Sequence, residues 1–352
     1  MFHLILITCL SAAPGDCTPH LLPAGDAPDA AACEAAAEAI ARDWIARHPG
    51  LQARGRSCVP TGALPALSVS EPAEGVYVHQ GVMAQISPQN QGRIANLSFI
   101  VGDTVAVIDA GGSRAEGEAL YAAIRRVTDR PISHLILTHM HPDHILGAEV
   151  FSEAGASITA DARLPEAVAR RAETWMVSIP AQIGRTAFAG TKIVAPDRLI
   201  SGAAEIDLGA TRLHLQPQPS AHTDSDLTVF DSRSGAFFAG DLIFRGLTPS
   251  LDGSLTGWLD WIAAGPPEPA PDLIVPGHGP VAESWRDAIA PERIYLNALA
   301  EMTRRAISGG MALSRAIPAI TAMMQPYSEG WADFDGTTAR NAATAYSQLE
   351  WE

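Results

Sequence analysis

The sequence predicts an α/β protein, a four-layer αββα sandwich preceded by a small α/β module and followed by helices. Three observations carry this prediction. Along the body of the chain, short apolar runs of strand length alternate with stretches of helical spacing in two halves, the pattern of two sheets with helices outside. Several His and Asp residues stand where such runs break into Gly-containing loops, the usual position of a site carried on a rigid platform. All four cysteines lie at or before Cys58, and the chain past Val281 reads as helical. These shifts divide the sequence into residues 1–65, 66–290 and 291–352.

In the first segment, Leu4 to Cys9 followed by Leu10-Ser11-Ala12-Ala13 has the outline of a signal peptide with a small-residue cleavage site. No Lys or Arg precedes it, however, and the first of either is Arg42. The reading adopted is structural: a strand over Phe2 to Leu10, an Ala-rich helix over Ala30 to His48 with Asp29 as N-cap, and a strand over Leu51 to Val59. Cys9, Cys17, Cys33 and Cys58 make an even set, which suggests two disulfides in an oxidising compartment such as the periplasm, with three pairings open. Cleavage after Ala12 or Ala13 would remove Cys9 and leave an odd count. A reduced cytoplasmic module with buried thiols is the alternative.

In the second segment, Leu97 to Val101 and Thr104 to Asp109 flank the turn residues Gly102-Asp103 as a hairpin. Arg114 to Asp129 has helical spacing through Leu120, Ile124 and Val127, and Pro131 ends it. Ala162 to Met176 reads as a second helix. Ile179 to Gly202 lacks periodicity and is read as either a lid beside the site or a plain connector. The third segment predicts helices over Trp285 to Ser308, Leu313 to Met323 and Thr337 to Trp351, with Gly309-Gly310 as a break and Met323-Met324 as core packing.

Composition fits a large-cored enzyme for a small-molecule substrate. The chain has 352 residues, 47% of them hydrophobic, enough for a sizeable core. A net charge of −15 with only 24 Lys and Arg argues against a nucleic-acid partner. No apolar run approaches the ~18 residues needed for a transmembrane helix.

The most informative segment is Thr138-His139-Met140-His141-Pro142-Asp143-His144, directly after the apolar Leu135-Ile136-Leu137. His139 and His141 can point to one side of an extended turn, whereas Asp143 and His144 continue around the bend towards a second position. Imidazole and carboxylate without a nearby thiolate suit zinc. Further ligand candidates follow in similar surroundings: His222 before Leu227-Thr228-Val229-Phe230, Asp241 at the end of Ala236-Phe237-Phe238-Ala239-Gly240, and His278 after Leu273-Ile274-Val275-Pro276-Gly277.

Taken together, His-x-His-x-Asp-His at 139–144, His222, Gly240-Asp241 and Gly277-His278 resemble the metallo-β-lactamase superfamily over about residues 70 to 290. Asp109, in Val105 to Gly112, matches that family's first motif. The resemblance implies an αββα fold of the metallo-β-lactamase type and two zinc ions per chain. His139, His141 and His222 would hold the first, Asp143, His144 and His278 the second, and Asp241 would bridge them. An Asp at the bridging position resembles the glyoxalase II type of hydrolase and argues against a true β-lactamase. The head and tail of the chain, including Trp44 to Gly50 and Gln348 to Glu352, resemble zinc metallohydrolases of quinoprotein relay systems, which implies a quinoprotein-system partner.

The reaction expected of such a site is hydrolysis of a small ester, thioester or lactone by a metal-bridged hydroxide, with Asp143 accepting a proton. Asp109 and Asp226 are candidates to orient ligand imidazoles, or else each simply caps a turn. Arg245, and with less support Lys192, are candidates to hold an anionic substrate. Two alternatives stand beside this reading: a mononuclear iron persulfide oxygenase using His139, His141 and Asp241, and a metal-binding accessory protein for quinoprotein systems.

Overall fold

A computed structural model describes residues 1–352. The N-terminal module is a three-stranded antiparallel sheet of β1 (Phe2–Leu10), β2 (Ala13–Ala27) and β3 (Leu51–Pro60), with β1 central and α1 (Ala30–Ala46) on one face. The expected first strand, helix and second strand are all present, and the Asp29 side chain caps α1 by accepting from Ala32 N at 2.9 Å. Strand β2 goes beyond the sequence reading. It carries Pro14, Pro19 and Pro23, which an edge strand tolerates because its outer N–H groups need no ladder partner. Disulfides join Cys9 to Cys17 across the β1–β2 pair and Cys33 to Cys58 between α1 and β3.

The body consists of two facing sheets. The first contains β4 (Ser70–Ala73), β5 (Val76–His79), β6 (Leu97–Val101), β7 (Val105–Ile108), β8 (Ile132–Ile136), β9 (Ser157–Asp161) and β10 (Arg198–Ile200) in simple sequential order. The second contains β11 (Ala204–Asp207), β12 (Arg212–Pro217), β13 (Leu227–Asp231), β14 (Ala236–Phe244) and β15 (Leu273–His278). Side chains alternate between faces along a strand, and both faces of the central strands are covered. In β7, Ala106 and Ile108 enter the core between the sheets, while Val105 and Val107 enter the outer core. In β14, Ala236 and Phe238 face the first sheet, while Phe237 and Ala239 face the helices behind the second. Such strands read as unbroken apolar runs.

The outer layer on the first sheet is α2 (Arg114–Val127), α3 (Pro142–Ile145), α4 (Ala148–Glu153), α5 (Leu164–Ala169) and α6 (Ala172–Ile183). The single helix expected over Ala162 to Met176 is instead two, α5 and α6, which part at Arg170-Arg171. Arg171 there turns towards the His141 loop. The segment after α6 is not a lid: Thr191 Oγ1 accepts from Arg114 N at 3.0 Å, and Thr186 O accepts from Thr18 Oγ1 at 3.3 Å. It therefore packs between the body and the N-terminal module.

The outer layer on the second sheet is α7 (Leu255–Ala264), α8 (Trp285–Ser308), α9 (Leu313–Met324) and α10 (Phe334–Leu349). Helix α7 was not expected; the other three match the sequence reading to within a few residues. Leu296, Leu299, Ile320, Met324 and Ala345 share one buried cluster with Trp258 and Phe244. No helix is long and apolar enough to cross a membrane.

A buried ion network joins the module to the body. The Arg114 side chain is 0% exposed, and its guanidinium donates to Glu118 at 2.7 Å, Glu149 at 2.8 Å, Glu153 at 2.7 Å and Leu21 O at 3.0 Å. It also lies 4.8 Å from the Trp44 ring centroid. Glu149 pairs in addition with His48 at 3.1 Å, and Trp44 Nε1 donates to Glu153 at 2.8 Å.

Candidate metal centre

The seven ligand candidates converge where the C-terminal ends of the central strands of both sheets meet. One donor atom from each of His139, His141, His222 and Asp241 lies within 4.8 Å of the others. Asp143, His144 and His278 form a second such group. Asp241 lies between them: its carboxylate is 3.6 Å from His139 Nε2 and 3.4 Å from His222 Nε2 on one side, and 3.2 Å from His144 Nε2 and 3.3 Å from His278 Nε2 on the other. Asp143 Oδ2 is 3.4 Å from His278 Nε2.

Each imidazole has one nitrogen engaged by the protein and the other facing the shared volume. His139 Nδ1 meets Thr138 Oγ1 at 3.0 Å, and His144 Nδ1 meets Asp109 Oδ2 at 2.7 Å. His222 Nδ1 donates to Ser250 O at 2.6 Å, and His278 Nδ1 to Ile94 O at 2.8 Å. His141 is turned the other way, with Nε2 on Asp252 Oδ2 at 3.1 Å and Nδ1 facing His222 Nε2 at 2.9 Å. Such partners fix ring orientation in metal sites.

The residues fit a pair of divalent cations. His139 Nε2, His144 Nε2 and Asp241 Oδ1 are buried without a hydrogen-bond partner, a costly arrangement for polar atoms that nothing coordinates. Two imidazole nitrogens facing each other across 2.9 Å likewise suit a shared cation between lone pairs better than a hydrogen bond. Burial holds the His139 imidazole well below its ordinary pKa and brings His222 down to about 3, whereas at His144 and His278 the neighbouring carboxylates, Asp241 foremost, outweigh burial and raise it. Burial alone would raise the Asp241 carboxyl, but His278 and His144 outweigh it and hold it well below its ordinary range.

Local backbone makes this convergence feasible. Asp109 adopts a φ of 61°, and from that left-handed position it accepts from Thr138 N and Thr138 Oγ1, each at 2.8 Å, as well as orienting His144. At Gly277 a methyl group would overlap Asp241 Oδ1, so only glycine lets β15 approach β14 here. The rings pack against Phe244, stacked on His278 at 5.1 Å, and Trp258, edge-on to His222 at 5.4 Å.

Three expectations need correction. Asp226 orients no imidazole. It accepts from Thr223 N at 3.0 Å and Thr223 Oγ1 at 2.6 Å, closing the turn after His222, and burial pushes its carboxyl up to about 7 against those bonds. Arg245 spends its guanidinium on Pro280 O and Val281 O, bracing the loop beyond His278. Lys192 reaches Arg47 O and Glu149 at the module interface, away from the ligand candidates.

Two residues missed by sequence reasoning take part in the framework. Asp252 links His141 to Arg171, whose Nη2 donates to it at 2.6 Å. Asn96 donates to Pro276 O at 2.8 Å and Gly279 O at 2.7 Å, and so holds the His278 turn. Neither lies in a motif. A buried Asn in an otherwise apolar strand approach, Ile94-Ala95-Asn96-Leu97, was the one available signal.

Comparison with known proteins agrees with this geometry. The profile of the metallo-beta-lactamase superfamily matches residues 91–294, more than half of the chain. A 45-residue stretch, 13% of the chain, is 38% identical to a linear primary-alkylsulfatase of Pseudomonas sp., of which the match spans 8%. Among solved structures, a stereoselective inverting sec-alkylsulfatase from Pseudomonas sp. superposes with a TM-score of 0.59 at 18% identity, over 80% of this chain and 50% of that one. A metallo-beta-lactamase from Pontibacter korlensis gives 0.53 at 17% identity, over 66% and 99%. The chain thus spans about half the length of the sec-alkylsulfatase, and both structural likenesses are ones of fold. With the profile match and the seven converging donors in hand, the chain belongs to the metallo-β-lactamase superfamily.

Proposed function

We propose that this protein is a binuclear zinc-dependent hydrolase of a small ester, thioester or lactone. The observation that carries the reading is a pair of donor groups with Asp241 within contact of both, each lined by imidazoles whose outer nitrogens are already engaged. His139, His141 and His222 would hold one cation, Asp143, His144 and His278 the other, with Asp241 common to both. Cations so held supply Lewis acidity for the scissile group and lower the pKa of water to about 7.

The chain's own residues do the remaining work. Asp109 keeps His144 presenting Nε2, and Asp252 keeps His141 presenting Nδ1. Of the two carboxylates among the ligand candidates Asp143 is the less buried, at 15% side-chain exposure against 3% for Asp241, and would take a proton on the solvent side. Phe244 and Trp258 exclude water from behind the rings, which strengthens electrostatic interactions within the site.

The existence of a second group, Asp143, His144 and His278, favours two cations over the mononuclear oxygenase alternative. A second substrate reading, a sulfate ester, is favoured by the 45-residue likeness to the linear primary-alkylsulfatase. Elemental analysis of protein purified without chelator should give close to two zinc ions per chain. One iron per chain would overturn the proposal. A panel of carboxylic esters, thioesters, lactones and alkyl sulfates then separates the two substrate readings by kcat/KM.

A further inference from the structure

The imidazoles of His141 and His222 are both oriented by one short segment, Ser250 to Ser254, that belongs to no helix or strand. Ser250 O accepts a hydrogen bond from His222 Nδ1, and Asp252 Oδ2 accepts one from His141 Nε2. The same segment grips the His222 main chain: Asp252 N and Gly253 N both donate to His222 O, at 3.0 and 2.7 Å, and Ser254 N donates to Ala221 O at 2.8 Å. A segment without a ladder of its own holds such geometry only if something behind it is rigid.

That support is α10. Asn341 Oδ1 accepts from Leu251 N at 2.9 Å, while Asn341 Nδ2 donates to Pro249 O at 2.7 Å. Two helical turns on, Gln348 Oε1 accepts from Leu255 N at 2.9 Å and Gln348 Nε2 donates to Gly253 O at 2.5 Å. Seven residues apart, the two amides lie on one helix face. Each offers one acceptor and one donor to the main chain, as a neighbouring strand would. Asn341 is 1% exposed and is itself fixed by Tyr295 Oη at 2.9 Å, which meets Thr338 Oγ1 at 3.0 Å.

We infer that Asn341 and Gln348 are positioning residues for the first donor group: α10 sets the orientation of His141 and His222 by clamping residues 249–255. No corresponding contact runs from α10 to His144 or His278, whose outer nitrogens rest on Asp109 and Ile94. The clamp therefore acts on one group and spares the other. This inference rests on the reading of His139, His141, His222 and Asp241 as metal-holding.

The test uses the full chain with Gln348→Met, which keeps length and removes both hydrogen bonds, and Asn341→Asp, which keeps the acceptor for Leu251 N and loses the donor to Pro249 O. Gln325→Ala is the control, since it deletes a hydrogen bond to Asp335 in the same helical layer without touching the segment. Zinc affinity is measured by chelator competition, and the imidazole N–H resonances of the metal-free proteins by ¹H–¹⁵N NMR. Gln348→Met should weaken one of the two zinc sites by about tenfold, the range for loss of an orienting partner, and leave the other unchanged. Asn341→Asp should do the same. In the metal-free variants the slowly exchanging N–H signals of His141 and His222 should broaden or vanish, while those of His144 and His278 persist. Gln325→Ala should match wild type in both readouts. Unchanged zinc affinities and N–H signals in both variants, or an equal loss at both sites, would overturn the inference. A wild-type protein that takes up no zinc would defeat the metal reading instead, and the N–H signals would then decide the clamp by themselves.

Discussion

Replacing Arg114 by Met tests whether the ion network at the module interface stabilises the chain. The substitution keeps an unbranched apolar stem and removes the guanidinium that Glu118, Glu149, Glu153 and Leu21 O share. Removing one partner of a buried ion pair costs about 3 to 5 kcal/mol, because the other charge stays buried. Here the lower end applies, since Glu149 keeps His48 and Glu153 keeps Trp44 Nε1. At about 2.1 cal/mol/K per residue, a 352-residue chain melting as one unit has an unfolding entropy on the order of 0.7 kcal/mol/K. A loss of about 3 kcal/mol then lowers Tm by roughly 4 °C. Scanning calorimetry at pH 7 without reductant measures it. The triple variant Arg114→Met, Glu149→Gln, Glu153→Gln should regain part of the loss, because of the carboxylates that shared the guanidinium only Glu118, with His20 at 3.5 Å, stays charged. A Tm shift under about 1 °C for the single variant, or a triple variant less stable than the single, would refute the reasoning.

Other outcomes follow from the same contacts. Burial would raise the Glu149 carboxyl, but the hydrogen bond from His48 and the charge of Arg114 bring it down to about 2, so its stabilising contribution is complete above about pH 4.5 and fades as pH falls towards 2; thermal melts of Glu149→Gln should depend less on pH across that window than wild type. Asp109→Asn, which suits the left-handed backbone but weakens the hold on His144, should reduce affinity at the second zinc site by about 10- to 100-fold in chelator competition, and equal affinities would contradict the orienting role. On the proposed binuclear reading, Asp143→Ala should take bound zinc from two towards one per chain with the fold retained by circular dichroism, and unchanged zinc content would contradict its place in the second group. Peptide mapping without reductant should find Cys9 linked to Cys17 and Cys33 to Cys58, and any other pairing would contradict the β1–β2 register.

The donor residues were legible because their chemistry is local. Five of the seven sit within a few residues of a strand end that its own apolar run announces: His139, His141, Asp143 and His144 after β8, and His278 at the end of β15. Helices Arg114–Val127 and Trp285–Ser308 were also legible, the first from its apolar spacing and the Pro131 stop, and the structure adds N-caps in Ser113 and Ser284. Strand β2 was hidden by its prolines and glycines, which normally signal turns and are tolerated here only at a sheet edge. The roles of Arg114, Asp252 and Asn341 were out of reach for another reason. Each is defined by partners 35 to 111 positions away, as in Arg114 with Glu149 and His141 with Asp252, and a window of sequence carries no record of such contacts. For Asp226 two readings stayed open in the sequence, because a carboxylate beside a ligand candidate looks the same whether it faces a ring or closes its own turn, and the structure shows the turn.

Neither donor group is contained in one half of the sandwich. His139, His141, Asp143 and His144 follow β8 of the first sheet, whereas His222, Asp241 and His278 belong to the second, so each group is completed only across the seam. A chain cut near residue 202, between β10 and β11, would leave neither piece with a complete set of these donors. Any cation held by both halves would stabilise the joined form over the separated pieces, so its retention would report whether the halves have come together.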